Sequence, residues 1–358
     1  MKTHSPISTS STSSIPNRFA LGTLSASSTI LLILLTFVSR LVVAQCCGVG
    51  GGSPIASDIS QSVLLKGQME FNANFQGISS DRFKTGNQID KNYLKFFGSR
   101  YSYFRMAYGI TKEFTFSVES GYWLRKMQIG LMDDTLHSSG IGDLILFPKV
   151  NLFKKNQTEI TAGIGVKLSL GHYQDSTGFL EPFSGQTIYL KNPPAVQPSS
   201  GANDVIFNIF FAHSIPARRV RLFASGMYIL KGWNPAGERF GDYSSLCLIA
   251  AYRIQKSVSA MLQVKGEWIG TMKINPVIMQ YDYPLYDPKA TGSKKVLLVP
   301  QVNYSPGKGF NLFVSSEIPL YQYVNKTQIA SRFQFTCGIS YRFMAVSPAP
   351  APSITPGS

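Results

Sequence analysis

The sequence predicts an all-β fold: a transmembrane, up-and-down antiparallel β-barrel of about twelve strands. Three observations predict it. From Val63 onward the chain repeats segments in which apolar and polar side chains alternate. The connections between these segments alternate between short and long. Only 15% of residues are charged while 12% are aromatic, at a mean hydropathy of +0.03. An average soluble chain carries about 25% charge, so here the apolar residues are spread thinly along strands rather than gathered into helices.

The chain divides into four parts. Residues 1–44 read as a secretory signal: the continuous apolar run Thr29 to Val38 is about half the length a membrane-spanning helix needs. Lys2 and Arg18 precede it, and Val42-Val43-Ala44 offers small residues before a cut ahead of Gln45. Residues 45–63 form a Cys/Gly-rich segment that can plug a barrel mouth. Residues 64–343 hold the barrel. Residues 344–358, with Pro348, Pro350, Pro352 and Pro356, are expected to be an extended, disordered tail.

Twelve strands are expected at about 64–77, 99–110, 113–125, 143–153, 158–171, 204–214, 219–233, 243–253, 257–269, 295–305, 310–320 and 331–343. The clearest is the fifth. Ile160, Ala162, Ile164, Val166, Leu168 and Leu170 alternate there with Glu159, Thr161, Gly163, Gly165, Lys167 and Ser169. Successive side chains of a strand point to opposite faces, so this places an apolar row on one side and a polar row on the other. In this register no Lys, Arg, Asp or Glu is expected on the apolar row. The links after strands two, four, six, eight and ten are tight, and the others are longer, the longest running from His172 to Asn203. A soluble sandwich has no reason to sort its loops by end, whereas a membrane barrel has short turns on one side and long loops on the other. Tyr108, Phe114, Tyr252, Tyr304 and Phe310 fall near the turn-side ends, with Tyr122, Tyr228 and Trp268 near the loop-side ends, as two aromatic girdles.

The polar row should line the lumen. Its candidate residues are Glu70, Arg105, Glu119, Trp123, Lys149, Lys167, Phe210, Arg221, Phe223, Lys265, Glu267, Glu317 and Arg342. Acids and bases are mixed there with a slight excess of bases, which either fills the lumen with salt bridges or lines a path for a small amphipathic solute. Pro148 and Pro300 interrupt strands, and proline cannot donate to the ladder, so local kinks are expected. Such kinks can open a lateral exit in hydrocarbon-permeating barrels.

Other chemistry is thinly represented. Cys46-Cys47 could hold a soft metal or exchange disulfides, but two thiols without further ligands nearby make an incomplete site. Cys247 should face the lumen and Cys337 the lipid. A lipid hydrolase would need Ser, His and a polar orienter side by side. The candidates are His137 with Ser139, His172, and His213 with Ser214, and no local signature joins them. No enzyme activity and no cofactor are expected. The formal net charge of +15 falls by three when Lys2, Arg18 and Arg40 leave with the signal. The remaining bases are dispersed singly, which argues against nucleic acid.

Ser139-Gly140-Ile141-Gly142-Asp143-Leu144, Lys149, Gly163-Ile164-Gly165-Val166-Lys167, Gly171 and Gly201-Ala202-Asn203-Asp204 carry a family resemblance. The barrel region resembles the outer-membrane transporter-like family named after the meta-cleavage pathway of phenol degradation. The resemblance implies a bacterial outer-membrane location and the passage of small, often aromatic or hydrophobic compounds. It implies no catalytic residues. The Cys46-Cys47 segment lies outside these motifs and resembles exported barrels of the Bacteroidetes. The Tyr341-Arg342-Phe343 ending of the last strand is similar to the aromatic signal that hands such proteins to the barrel-insertion machinery. The expected partners are therefore the bilayer, that machinery and a small solute. The alternative reading is a plugged barrel that acts as a surface-binding or structural protein through its long loops.

Overall fold

The computed structural model describes residues 62–131, 134–181, 184–277 and 287–346. The expected signal, Cys46 and Cys47, and the tail beyond Val346 lie outside the described residues. The barrel strands are β1 (Gln68–Ser80), β2 (Leu94–Gly109), β3 (Phe114–Gly130), β4 (Leu144–Lys155), β5 (Thr158–Leu168), β6 (Asp204–Ile215), β7 (Val220–Leu230), β8 (Tyr243–Arg253), β9 (Val258–Ile269), β10 (Ser293–Gly307), β11 (Phe310–Ile329) and β12 (Phe333–Met344). Each pairs antiparallel with its neighbours in sequence, and β12 returns to β1 over a register running from Gln68 opposite Met344 to Ser79 opposite Phe333. The sheet is therefore closed, and its backbone groups find partners without an exposed edge.

Both ends of the barrel follow from the chain. At the turn end the strands are joined by Ile110–Glu113, Asn156–Gln157, Pro216–Arg219, Ile254–Ser257 and Lys308–Gly309. Asn156, Arg219 and Lys308 take φ values of 53°, 56° and 52° in these turns, the left-handed region a tight hairpin demands. At the loop end, the segment Phe83–Gly86 pairs with the upper part of β11, and Thr135–Ile141 pairs with the upper part of β3. The wall is thus taller on that side than the sequence suggests. β11 runs on to Ile329, which leaves only Ala330–Arg332 before β12, where a longer loop was expected. At the other terminus Met344 belongs to β12, and the amides of Ala345 and Val346 both donate to the Gly67 carbonyl.

The outer row is apolar through the middle of the wall: Phe71, Phe104, Ile164, Leu248, Val302 and Ile339 are all exposed there. At the ends, the expected absence of charge fails. Lys155 points out beside the turn to β5, while Arg100, Arg125 and Lys294 point out at the loop end. Lys155 and Lys294 lie just beyond the expected strands, Arg100 follows the plain alternation of β2, and only Arg125 is re-aimed, by the shift that makes Leu124 an extra residue between Arg100–Arg125 and Tyr101–Trp123. A bulge re-aims the side chain it carries.

The two strand prolines act as their chemistry requires. Pro300 pairs with Leu262 of β9, but the β10–β11 ladder passes from Leu298–Ile318 to Gln301–Ser315 without a pair between. Pro148 leaves the same gap between Leu146–Val166 and Lys149–Gly163 in the β4–β5 ladder. These two seams stand six strands apart in a ring of twelve, on opposite walls. Opposite Pro148, Gly163 and Gly165 make room for the Phe147 ring, since a Cβ at Gly165 would stand 2.1 Å from Phe147 Cδ2.

Candidate functional site

The inner row converges on a lumen in which charge networks alternate with apolar clusters. Near the turn end, Glu70 on β1 lies between two arginines. Arg105 Nη1 is 2.9 Å from Glu70 Oε1, and Arg342 Nε donates to Glu70 Oε2 at 2.8 Å. Arg105 Nε stands 3.4 Å from Glu119 Oε1, and Glu119 also accepts from Tyr103 (2.6 Å) and Ser117 (2.9 Å). This places four adjacent strands, β12 to β3, in one buried network. Arg221 lies with its guanidinium 5.1 Å from the Phe223 ring centre and donates to Ser214 Oγ; Arg221 and Arg342 both remain exposed at the rim. Phe223 stacks on Phe210 at 5.7 Å, and Lys149 Nζ lies 5.6 Å from the Phe147 ring. The backbone amide of Leu64 donates to Thr115 Oγ1, and that of Val63 to Glu159, so the chain before β1 enters the lumen at this end.

A second network occupies the other wall. Lys265 Nζ lies 2.8 Å from Glu267 and 3.1 Å from Glu317, Lys295 approaches Glu267 at 4.0 Å, and Tyr243 donates to Glu267 at 2.9 Å. Lys265 and Glu267 are 2% and 3% exposed, which leaves them almost no contact with water. Such ions persist only because each is paired and hydrogen-bonded.

Sequence reasoning missed a third network. Lys167 on β5 reaches Asp143 and Asp204, and Lys231 also binds Asp204 at 3.0 Å. Lys167 further donates to Ser200, and Ser199 donates to Asp143. The Gly- and Asp-marked strand openings therefore meet on one lysine and anchor the long connection between β5 and β6.

That connection supplies the most consequential feature. Asn192-Pro193-Pro194-Ala195-Val196-Gln197-Pro198-Ser199 folds inward, and all of it is buried except the half-buried Ala195. Val196 is fully buried against Ile78, Phe83, Leu94, Phe97 and Ile329, residues carried by β1, β2, β11 and the Phe83–Gly86 segment. The strap thus starts from β5 and β6 and packs on the far wall. Asn192 donates to the His137 carbonyl and to Ser138 Oγ, and Gln197 donates to the Asn192 and Asp175 carbonyls. Lys126 donates to the Gln197 carbonyl at 2.7 Å while lying 4.2 Å from the Trp123 ring, which itself packs on Tyr101. Proline supplies rigidity here without an amide to satisfy. The cluster of prolines in the longest connection was the signal available in the sequence.

The remaining candidates are scattered. His213 shares a hydrogen bond with Thr158, His172 lies 3.6 Å from Asp175, and His137 is exposed; these arrangements do not pair an imidazole with a serine. Cys247 is buried in the lumen against Gln263, and Cys337 sits on the outer row between Phe75 and Val314. Among the described residues no group of three or more His, Cys, Asp or Glu could hold a metal.

No family model matches the chain, and no curated protein matches it in sequence. Solved structures do match. An outer membrane channel from Pseudomonas putida F1 superposes with a TM-score of 0.60 at 13% identity, over 80% of this chain and 99% of that one. The β domain of the Bordetella autotransporter BrkA (TM-score 0.44, 11% identity, 78% and 100% covered) and the NanC porin (0.40, 8%, 75% and 98%) also match. The first likeness establishes the fold: the chain is a closed, twelve-stranded barrel of the outer-membrane type.

Proposed function

We propose that this chain is a bacterial outer-membrane barrel for passive movement of a small, partly apolar or aromatic solute, with the Asn192–Ser199 strap closing its resting lumen. The observation that carries the reading is a charged, hydrogen-bonded inner wall inside an apolar outer wall. Buried ion pairs are often no more stabilising than well-packed apolar residues of the same volume. A barrel kept only as a stable wall would gain little from Glu70, Glu119, Lys265 and Glu267, whereas a polar lining suits solute traffic. Phe147, Phe210, Phe223, Met227 and Met261 add apolar surface beside these charges, which favours an amphipathic solute over a free ion path. The long loops face the cell exterior and the turns the periplasm. Residues 1–44 act as the export signal, residues 45–63 serve as a plug, and Tyr341-Arg342-Phe343 engages the insertion machinery. No cofactor is needed.

The second reading is a permanently plugged barrel that binds partners through its loops. It is favoured by the near-complete burial of Lys265 and Glu267. Single-channel recording in planar bilayers separates the two. The full chain should open rarely, and a variant with residues 192–199 replaced by a short Gly-Ser linker should conduct steadily, with a weak preference for anions. A folded, strapless variant that stays silent would leave the plugged reading standing in its place.

A further inference from the structure

Outside the lumen, the outer face of β1, β2 and β3 combines two features that point to one ligand. The first is a pair of arginines. Arg100 and Arg125 are direct cross-strand partners, both exposed: Arg100 lies on the outward row by plain alternation, and the register shift at Leu124 turns Arg125 outward beside it. Among the described residues neither guanidinium has an acidic partner. Like charges placed opposite each other destabilise a sheet, so the arrangement gains from an anion that bridges them. The second feature is an apolar groove of about 460 Å³ on the same face, lined by Phe71, Ala73, Phe104, Met106, Ile339 and Tyr341.

Register connects them. From the arginine row, Gly77–Arg100–Arg125, the outward rows descend through Phe75–Ser102–Tyr122 and Ala73–Phe104–Ser120 to Phe71–Met106–Val118. Gly77, Ser102, Ala73 and Ser120 are small, so the surface between the bulky side chains is recessed along the whole path. Two residues of strand rise by roughly 7 Å. The groove spans the second and third rows below the arginines, and after a tilt of about 40° its centre lies roughly 10–15 Å deeper. That depth falls within one leaflet of an apolar band about 25 Å tall. Tyr122, one row below the arginines, marks the level at which headgroups begin.

We infer that this face binds one phosphate-bearing lipid of the outer leaflet, its phosphate held by Arg100 and Arg125 and an acyl chain lying in the groove. Arginine suits this role because its planar fork takes two phosphate oxygens at once. The inference rests on the outer-membrane reading, and its test separates the two. The full chain, purified in neutral detergent, is incubated with diphosphoryl lipid A and its retained lipid counted by native mass spectrometry. Folding is checked by heat-dependent migration on gels and by insertion into liposomes. The wild type and Lys294→Gln should hold one lipid A. Arg100→Gln/Arg125→Gln should lose affinity by about tenfold or more, and Ala73→Leu/Ser120→Leu, which fills the groove, should lose it too. Millimolar inorganic phosphate should not displace the lipid. Equal retention by either folded double variant would overturn the inference, and displacement by free phosphate would reduce the site to an anion site. Failure of the wild type to insert into liposomes would instead overturn the outer-membrane reading.

Discussion

Lys167 lies 3.1 Å from Asp204 and also reaches Asp143, so one buried lysine joins the openings of β4 and β6. Both acids also hold the strap root or its neighbours: Ser199 donates to Asp143, and the Gly232 amide donates to Asp204. Lys167→Met keeps the length of the side chain but leaves Asp143 without this cation and Asp204 with Lys231 alone. Breaking a buried pair from one side costs roughly 3–5 kcal/mol, and the partial exposure of Lys167 and Asp143 places this case at the lower end. The expected result is a lower urea midpoint for loss of the heat-modifiable, folded gel species, together with noisier conductance. An unchanged midpoint would mean that Lys231 suffices for the whole network.

The strap can be interrogated through Cys247. This thiol is buried in the lumen, on the wall that carries Lys265. With Cys46, Cys47 and Cys337 replaced by Ser, a charged maleimide added from outside should label folded wild type slowly. Replacing residues 192–199 by a short linker should raise the labelling rate strongly, and Lys126→Met, which removes the tether to the Gln197 carbonyl, should raise it moderately. If the strapless barrel labels no faster, the strap is not what closes the lumen.

The barrel was legible in the sequence because strand alternation is a local property. Each residue of Glu159 to Leu168 declares its face, and closure then follows from the need to pair every edge. The loop end was not legible in the same way. Nothing local says that Val196 will pack against Ile78 and Leu94, because that contact depends on how the barrel brings distant strands together. The outward turn of Arg125 was hidden for a related reason. Alternation assigns it to the lumen with Trp123, and only a register shift between strands moves it out. The inward network residues Asp143 and Asp204 stood in motifs already marked by glycine, yet their common partner Lys167 could be found only in three dimensions.

Pro300 offers a test of the weakened seams. Its ring removes the one amide that would point at β11, beside Ser316, whose buried hydroxyl has no hydrogen-bond partner among the described residues. Pro300→Val keeps an apolar, β-favouring side chain on the outer row and restores the donor. A gain of about 0.5–1.5 kcal/mol is expected from one added backbone hydrogen bond. Hydrogen exchange should slow at residues 315–318 of β11. Should the solute leave sideways between β10 and β11, the same variant would also slow its uptake into proteoliposomes while conductance stays unchanged. Slower exchange with unchanged uptake would make the seam a structural feature alone.

The Glu70–Arg105 contact tests whether the inner wall is held by its charges. Arg105 is 3% exposed in its side chain and Glu70 2%, so both ions depend on each other and on Glu119 and Arg342. Glu70→Leu takes from Arg105 its acid at 2.9 Å and leaves it Glu119 at 3.4 Å, and should lower stability by about 3 kcal/mol, the lower end of the cost of breaking a buried pair. Arg105→Leu should be costly as well, because it takes from Glu70 the more deeply buried of its two arginines. Glu70→Leu combined with Arg105→Leu should cost less than the two single changes added together, since each replacement removes the charge whose nearest partner the other has taken away. The cycle is read from urea unfolding of the folded gel species in one detergent. If the double variant is as stable as the wild type yet conducts differently once the strap is removed, the polar inner wall serves passage more than folding. Additive losses would instead mean that Glu70 and Arg105 act independently, each through its other neighbours.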